Sequence, residues 1–215
     1  MISDTHVVYR CDRQYNNPTQ KQKGGGVLIA INKSIKSSEF TLVKSDLEIV
    51  SCIIRAELRI LLITVYLPPD EKINRLRDLE IVLKQLFENR KQFDIVLIMG
   101  DFNFDLQLTN ERSIVNNSMS KFGLKQYVDF PTRLSETRSS LIDHVYCDSK
   151  EVKVQALKAD KFSNMCDHES INVKLNLRNF KSEKFISRKK LINEEYFEDD
   201  LNQSLTNLEF DKLAI

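Results

Sequence analysis

A chain of 215 residues, 41% hydrophobic and 29% charged, is long enough to bury a core and too apolar for intrinsic disorder, and it suits one large domain, or a domain with a tail, rather than two. Its formal net charge of +1 excludes the bulk basic character that would by itself mark a nucleic-acid binder, so any such reading has to come from a site. Cys11, Cys52, Cys147 and Cys166 lack CxxC spacing, Met1-Ile2-Ser3-Asp4-Thr5 has no apolar h-region, and no apolar run approaches bilayer length; a soluble intracellular protein with reduced thiols and no membrane association is expected.

Gly24-Gly25-Gly26 ends a polar loop and opens into Val27-Leu28-Ile29-Ala30-Ile31, a β-branched apolar run that reads as a strand. Residues 48–57 and 60–66 are apolar segments joined at Leu58-Arg59, which predicts an antiparallel pair closed by a tight turn and stopped by Pro68-Pro69. From 71 to 90, Ile73, Leu76, Leu79, Leu83, Leu86 and Phe87 recur at the three and four spacing of an amphipathic helix lying on a sheet. Ile95-Val96-Leu97-Ile98-Met99 is unbroken and apolar, as in a central strand covered on both faces. A second helix is expected over 110–122, terminated by Gly123 in a left-handed conformation. Further strands are expected at 141–147, 151–157 and 170–177. Beyond Phe180 the chain is charged and helical in flavour, with Tyr196, Leu201 and Leu205 as its apolar anchors, which places a domain boundary near 180.

Asp101 and Asn103 stand just past the central strand, where side chains project into the crevice at a strand's carboxyl end. An Asp there can orient or deprotonate a water and an Asn can donate to a phosphate oxygen; Gly100-Asp101-Phe102-Asn103 equally reads as a turn stabilised by local hydrogen bonds. Asp167-His168 precedes the last apolar strand and could hold a divalent cation and present an imidazole to a phosphoryl oxygen, or be a capping Asp beside a surface His. Asp143 interrupts the apolar run 141–146, a costly place for a carboxylate unless an imidazolium or another donor pairs with it. Tyr66 reads most simply as a strand-end aromatic with its hydroxyl in solvent.

In the order YxPP, GDFN, SxIDHVY and DH, these elements resemble the endonuclease/exonuclease/phosphatase superfamily. The variants YRCDR, GGGVLIAI, VYLPP, IMGDFN, YVDFPTR and SSLIDHVY resemble its branch of non-LTR retrotransposon endonucleases, over roughly residues 7–178. INEEYFEDDLNQSL resembles the linker that leads toward a reverse transcriptase on the same polypeptide. The resemblance implies an α/β (α+β) fold, a four-layer sandwich of two mixed β-sheets flanked by helices, occupying 1–180, with 181–215 as a charged helical tail.

It also implies nicking of DNA by hydrolysis of a phosphodiester with Mg²⁺ or Mn²⁺, in the nucleus. Asp101 would activate the water, Asn103 and Tyr66 contact the phosphate, His168 stabilise the charge on the phosphoryl oxygens with Asp143 behind it, and Asp167 lie near the metal. Ser139 and Ser140, with Arg133, fall in the segment 127–140 expected to face the DNA.

Such endonucleases carry, upstream of the YRCDR segment, two strands bearing an Asn and a Glu that is a principal Mg²⁺ ligand. Only six residues precede Val7 here, and Asp4 lies in a polar context. A truncated copy or partial gene model lacking its first strands, with weakened metal binding, an incomplete active site and little or no nuclease activity of its own, is therefore expected. The alternatives are a remnant that binds DNA or protein without catalysis, a phosphatase of the same superfamily, or a fragment that folds poorly.

Overall fold

In the computed structural model, which describes residues 2–13, 25–56, 58–135, 138–148, 153–159, 167–176 and 184–188, the chain starts with a single helical turn α1 (Ile2–Thr5) and a hairpin. Strand β1 (His6–Asp12) pairs antiparallel with β2 (Gly26–Asn32). β2 is the strand expected after the glycines. β1 follows from no apolar run: Tyr9 is its one buried side chain, so its sequence carries little hydrophobic signal.

The central sheet is built next. β3 (Lys36–Glu39), β4 (Glu48–Arg55) and β5 (Arg59–Tyr66) form an antiparallel meander, with β4 and β5 the expected pair. The helix α2 (Lys72–Glu88) then crosses over to β6 (Ile95–Asp101), which lies parallel to β5. After α3 (Thr109–Ser120), Gly123 at φ +69° turns the chain into β7 (Lys125–Gln126). A small hairpin of β8 (Arg133–Leu134) and β9 (Ser139–Ser140) precedes β10 (Asp143–Cys147). The order of the mixed six-stranded sheet is β3-β4-β5-β6-β10-β7.

β11 (Lys153–Ala159), β12 (Ser170–Asn176) and β13 (Lys184–Arg188) form a separate three-stranded antiparallel sheet. β13 lies past 180, where composition suggests helix; its pairing to β12, a tertiary contact that local composition does not encode, makes it a strand. Cys166 and the anchors Tyr196, Leu201 and Leu205 lie outside the described residues.

Every residue of β6 is buried, as are Ile60 to Val65 of β5, so both faces of the central sheet are covered. Leu76, Leu79, Val82, Leu83 and Leu86 form the buried stripe of α2, while Ile73, which fits the same spacing, is exposed; the buried stripe begins one turn later than the sequence pattern does. On the other face, Met99 of β6 and Val145 of β10 meet Ile171 and Val173 of β12. The hairpin β1–β2 packs over β4 on that same side, where Tyr9 donates its hydroxyl hydrogen to Ser37. Burying each large aliphatic side chain contributes about 1.5–3 kcal/mol. Cys52 and Cys147 pack in this core, and burial pushes the Cys52 thiol up to about 12. Among the described residues no helix is long and apolar enough to cross a membrane.

His144 is buried behind β10, stacked on Phe102 with ring centroids 4.7 Å apart. Its Nε2–H donates to the Phe104 carbonyl at 2.9 Å, and its Nδ1 accepts from the Tyr146 hydroxyl at 3.2 Å. Burial pushes its pKa down from 6.5 to about 4, although the Leu141 and Phe104 carbonyls, Asp143 and Asp105 act the other way. Protonation therefore favours the unfolded chain: the stabilisation is complete above pH 6.5 and is lost as pH falls toward 4. Urea denaturation of the wild type should show a loss of about 2 kcal/mol more between pH 7.5 and pH 5 than the same experiment on His144→Gln. Equal pH slopes in the two proteins would show that His144 is not buried as a neutral ring.

Candidate active site

The register of the central sheet aligns four polar residues along one end of it. Glu48 at the start of β4 pairs with Tyr66 at the end of β5, Tyr66 pairs with Asp101 at the end of β6, and Asp101 pairs with Asp143 at the start of β10. Directly paired residues project from the same face of a sheet, so the four side chains form a row. They lie on the face toward β12, because Met99 and Val145, two residues along from Asp101 and Asp143, line the cleft with Ile171 and Val173.

Asp101 is fully buried. The strand bearing it passes β5 so closely that a Cβ at Gly100 would stand 1.9 Å from the Val65 carbonyl oxygen, and only glycine fits. The Asp101 carboxylate Oδ1 accepts the Asn103 N–H at 3.0 Å. Asn103 is left-handed at φ +53°, a conformation that Asn tolerates better than most residues, and its Nδ2 donates to the Leu67 carbonyl at 2.8 Å. The turn and site readings of the motif are thus compatible, since the local hydrogen bonds are what fix the two side chains.

Asp143 and His168 are also buried, and they come together across the two layers: the His168 Nδ1–H donates to Asp143 Oδ2 at 2.7 Å. This is the imidazole partner that a carboxylate in an apolar strand requires. One ligand atom from each of Asp101, Asp143 and His168 lies within 4.8 Å of the others.

Thr132 holds that pair in place. Its Oγ1 accepts the N–H of Ile142 at 3.1 Å and of Asp143 at 2.9 Å, its N–H donates to the Ser140 carbonyl, and its carbonyl accepts the Glu169 N–H at 2.7 Å. The segment after it bridges to His168 through Arg133, and the Leu134 N–H donates to the Asp167 carbonyl. One fully buried residue therefore ties the chain bearing Asp143 to the chain bearing His168. Asp105 braces the same strand from behind: its Oδ1 accepts the Leu141 N–H, and Arg138 pairs with its Oδ2 at 3.0 Å. Sequence reasoning misses both Thr132 and Asp105. Thr132 stands in the YVDFPTR segment, but nothing in a short polar loop announces that its hydroxyl is buried.

Asp167 lies outside the three-residue cluster and is half-exposed, in an ion pair with Arg133 Nε at 2.8 Å. Ser139 and Ser140 form β9 opposite Leu134 and Arg133. Tyr66 is half-buried, and the guanidinium of Arg13, itself paired with Glu48 at 2.6 Å, lies 5.4 Å from its ring centroid. Glu48 does not stand out in the sequence, and Arg13 does so only as the last residue of the YRCDR segment, with no role attached to it.

Residues 60–172, more than half of the chain, match the family model described as endonuclease-reverse transcriptase, and the chain belongs to that family. No curated protein matches it. Among solved structures, it resembles the endonuclease domain of TRAS1, a telomere-specific non-LTR retrotransposon, at 15% identity over 71% of this chain and 72% of that one, with a TM-score of 0.57. It resembles a Bacteroides thetaiotaomicron mannosyl-6-phosphatase at 15% identity over 79% and 77%, TM-score 0.54. It also resembles the human Nocturnin catalytic domain at 13% identity over 86% and 74%, TM-score 0.53. At such identities the likeness is one of fold, and the fold is that of the endonuclease/exonuclease/phosphatase superfamily.

Removing the Thr132 hydroxyl strands two buried N–H groups. Thr132→Val should destabilise the protein by roughly 2–4 kcal/mol in urea denaturation, and Thr132→Ser, which keeps the acceptor, should recover most of that. A valine variant as stable as the wild type would remove Thr132 from this role.

Proposed function

We propose that this member of the endonuclease-reverse transcriptase family hydrolyses a DNA phosphodiester, leaving a nick, at the centre formed by Asp101, Asp143 and His168. The observation that carries the reading is the convergence of two buried carboxylates and a carboxylate-bound imidazole, with ligand atoms within 4.8 Å, at one end of the central sheet in a chain of this family. The family description is what favours DNA over a phosphomonoester, because the fold alone is shared with a phosphatase.

Two carboxylates side by side out of water repel each other unless positive charge stands nearby. His168 gives Asp143 a hydrogen-bond donor; a divalent cation would supply the positive charge for the pair. Hard oxygen donors few in number suit Mg²⁺ or Mn²⁺, which usually completes its shell with water and substrate phosphate. Asp101 and Asp143 are the carboxylates that would hold it, and when bound it supplies Lewis-acid neutralisation of the phosphate charge.

Asp101 then takes a proton from the attacking water, whose oxygen bonds to phosphorus as the bond to the leaving sugar oxygen breaks and that oxygen takes up a proton from solvent water. His168, oriented by Asp143 through Nδ1, neutralises charge growing on the phosphoryl oxygens. Asn103 has a second amide hydrogen besides the one given to Leu67, and with the Tyr66 hydroxyl it contacts the same phosphate. Positioning and charge neutralisation account for most of the rate. Arg133, Ser139 and Ser140 lie along the DNA. A reverse transcriptase on the same polypeptide accords with the family description, and a nuclear site of action belongs to the same proposal.

With two carboxylates as its protein ligands among the described residues, the metal binds weakly, and nicking is expected at millimolar rather than micromolar Mg²⁺. Asp167 pairs with Arg133 outside the cluster, so its loss should cost less than that of His168. Plasmid nicking should fall by about 10²–10³-fold in His168→Ala and by less in Asp167→Ala. A folded chain that leaves supercoiled plasmid intact at every Mg²⁺ and Mn²⁺ concentration, or a His168→Ala variant that nicks as the wild type does, would overturn the assignment.

A further inference from the structure

The row of polar residues continues beyond the proposed reaction centre in the direction away from His168. Strands are spaced about 4.8 Å apart, so the positions of Glu48, Tyr66, Asp101 and Asp143 extend over roughly 14 Å. The second layer adds one residue over each end of the row. His168, just before β12, stands over Asp143, and Arg13, just after β1, stands over Tyr66 and Glu48. A nucleic-acid strand offers a phosphate for each roughly 3.4 Å of helix axis, so a row this long can meet more than one of them.

Arg13 is held in a way that suits a phosphate ligand. Glu48 takes Nε at 2.6 Å and Nη2 at 3.3 Å from one side, which fixes the plane of the guanidinium. The Tyr66 ring supports it from another direction, 5.4 Å away, and the side chain stays 37% exposed. Gly25, at φ +95°, makes room for it: a Cβ there would come within 2.5 Å of the guanidinium carbon. The Arg13 N–H donates to the Gly25 carbonyl, so the end of β1 and the entry to β2 close around this one side chain.

We infer that Arg13, clamped by Glu48 over Tyr66, is a second phosphate-binding site, which holds a backbone phosphate of the DNA neighbouring the one cleaved. The inference rests on the proposed function and narrows its substrate: the site takes a polynucleotide with at least two phosphates in reach, in preference to an isolated phosphate ester. It also gives a purpose to the YRCDR and GGGVLIAI segments, which contribute nothing to the Asp101, Asp143 and His168 centre.

The test is the salt dependence of binding to a short fluorescein-labelled DNA duplex, measured by anisotropy with metal omitted so that no cleavage occurs. Each phosphate contact contributes about 0.9 to the slope of log K against log salt. Arg13→Ala, with its melting temperature checked against wild type, should lower the slope by about that amount. Glu48→Gln removes the competing negative charge while keeping an acceptor for Arg13, and should bind DNA at least as tightly as wild type. A stable Arg13→Ala variant with an unchanged slope, or a Glu48→Gln variant that binds more weakly, overturns the inference, and does so without touching the proposed function if the same proteins still nick plasmid through His168. A folded wild-type chain that shows no salt-dependent binding at all removes both.

Discussion

The hydrogen bond from His168 to Asp143 is where the two β-layers meet in chemistry as well as in packing. Asp143 starts a strand of the central sheet, and His168 immediately precedes a strand of the three-stranded sheet, so a 2.7 Å contact between them fixes one layer against the other. Both groups are nearly inaccessible to water, and each would be costly there without the other. Breaking the pair would leave an uncompensated buried charge, so neighbouring structure is organised to keep it made. Thr132 anchors the backbone on both sides of it, and Met99, Val145, Ile171 and Val173 line the cleft between the layers beside it.

Asp101 depends on a different device. It is placed by the close passage of Gly100 against Val65 and by the left-handed Asn103 that turns the chain back under Leu67. Phe102, between them, is fully buried against His144 and Tyr146, so the loop that carries the site is pinned by a core aromatic. Local backbone strain of this kind persists where surrounding packing enforces it, and it is most often found where geometry matters for binding or chemistry. The site thus combines a rigid strand end, a strained turn and an interlayer hydrogen bond.

Much of this is legible in the residues. β6 can be read because five consecutive apolar residues need cover on both faces, α2 because its leucines recur at helical spacing, and Asp143 because a carboxylate inside an apolar strand demands a partner. What escapes reading is held by contacts rather than patterns. β1 and β3 are strands with few buried side chains, β7 to β9 have two residues each, and β13 exists through its pairing with β12. Thr132, Arg13 and Glu48 are common residue types in polar surroundings, and only the register that brings Glu48, Tyr66 and Asp101 side by side, together with the fold of the first hairpin, reveals what they touch.

The tautomer of His168 is the most direct point of attack on the whole arrangement, and with three histidines in the chain its imidazole signals can be assigned by long-range proton–nitrogen NMR. The geometry requires a proton on His168 Nδ1, in a downfield, slowly exchanging resonance that disappears in Asp143→Ala, while His144 carries its proton on Nε2. A His168 ring with Nδ1 bare, or an Nδ1–H signal indifferent to the loss of Asp143, would contradict the interlayer pair and the centre built on it.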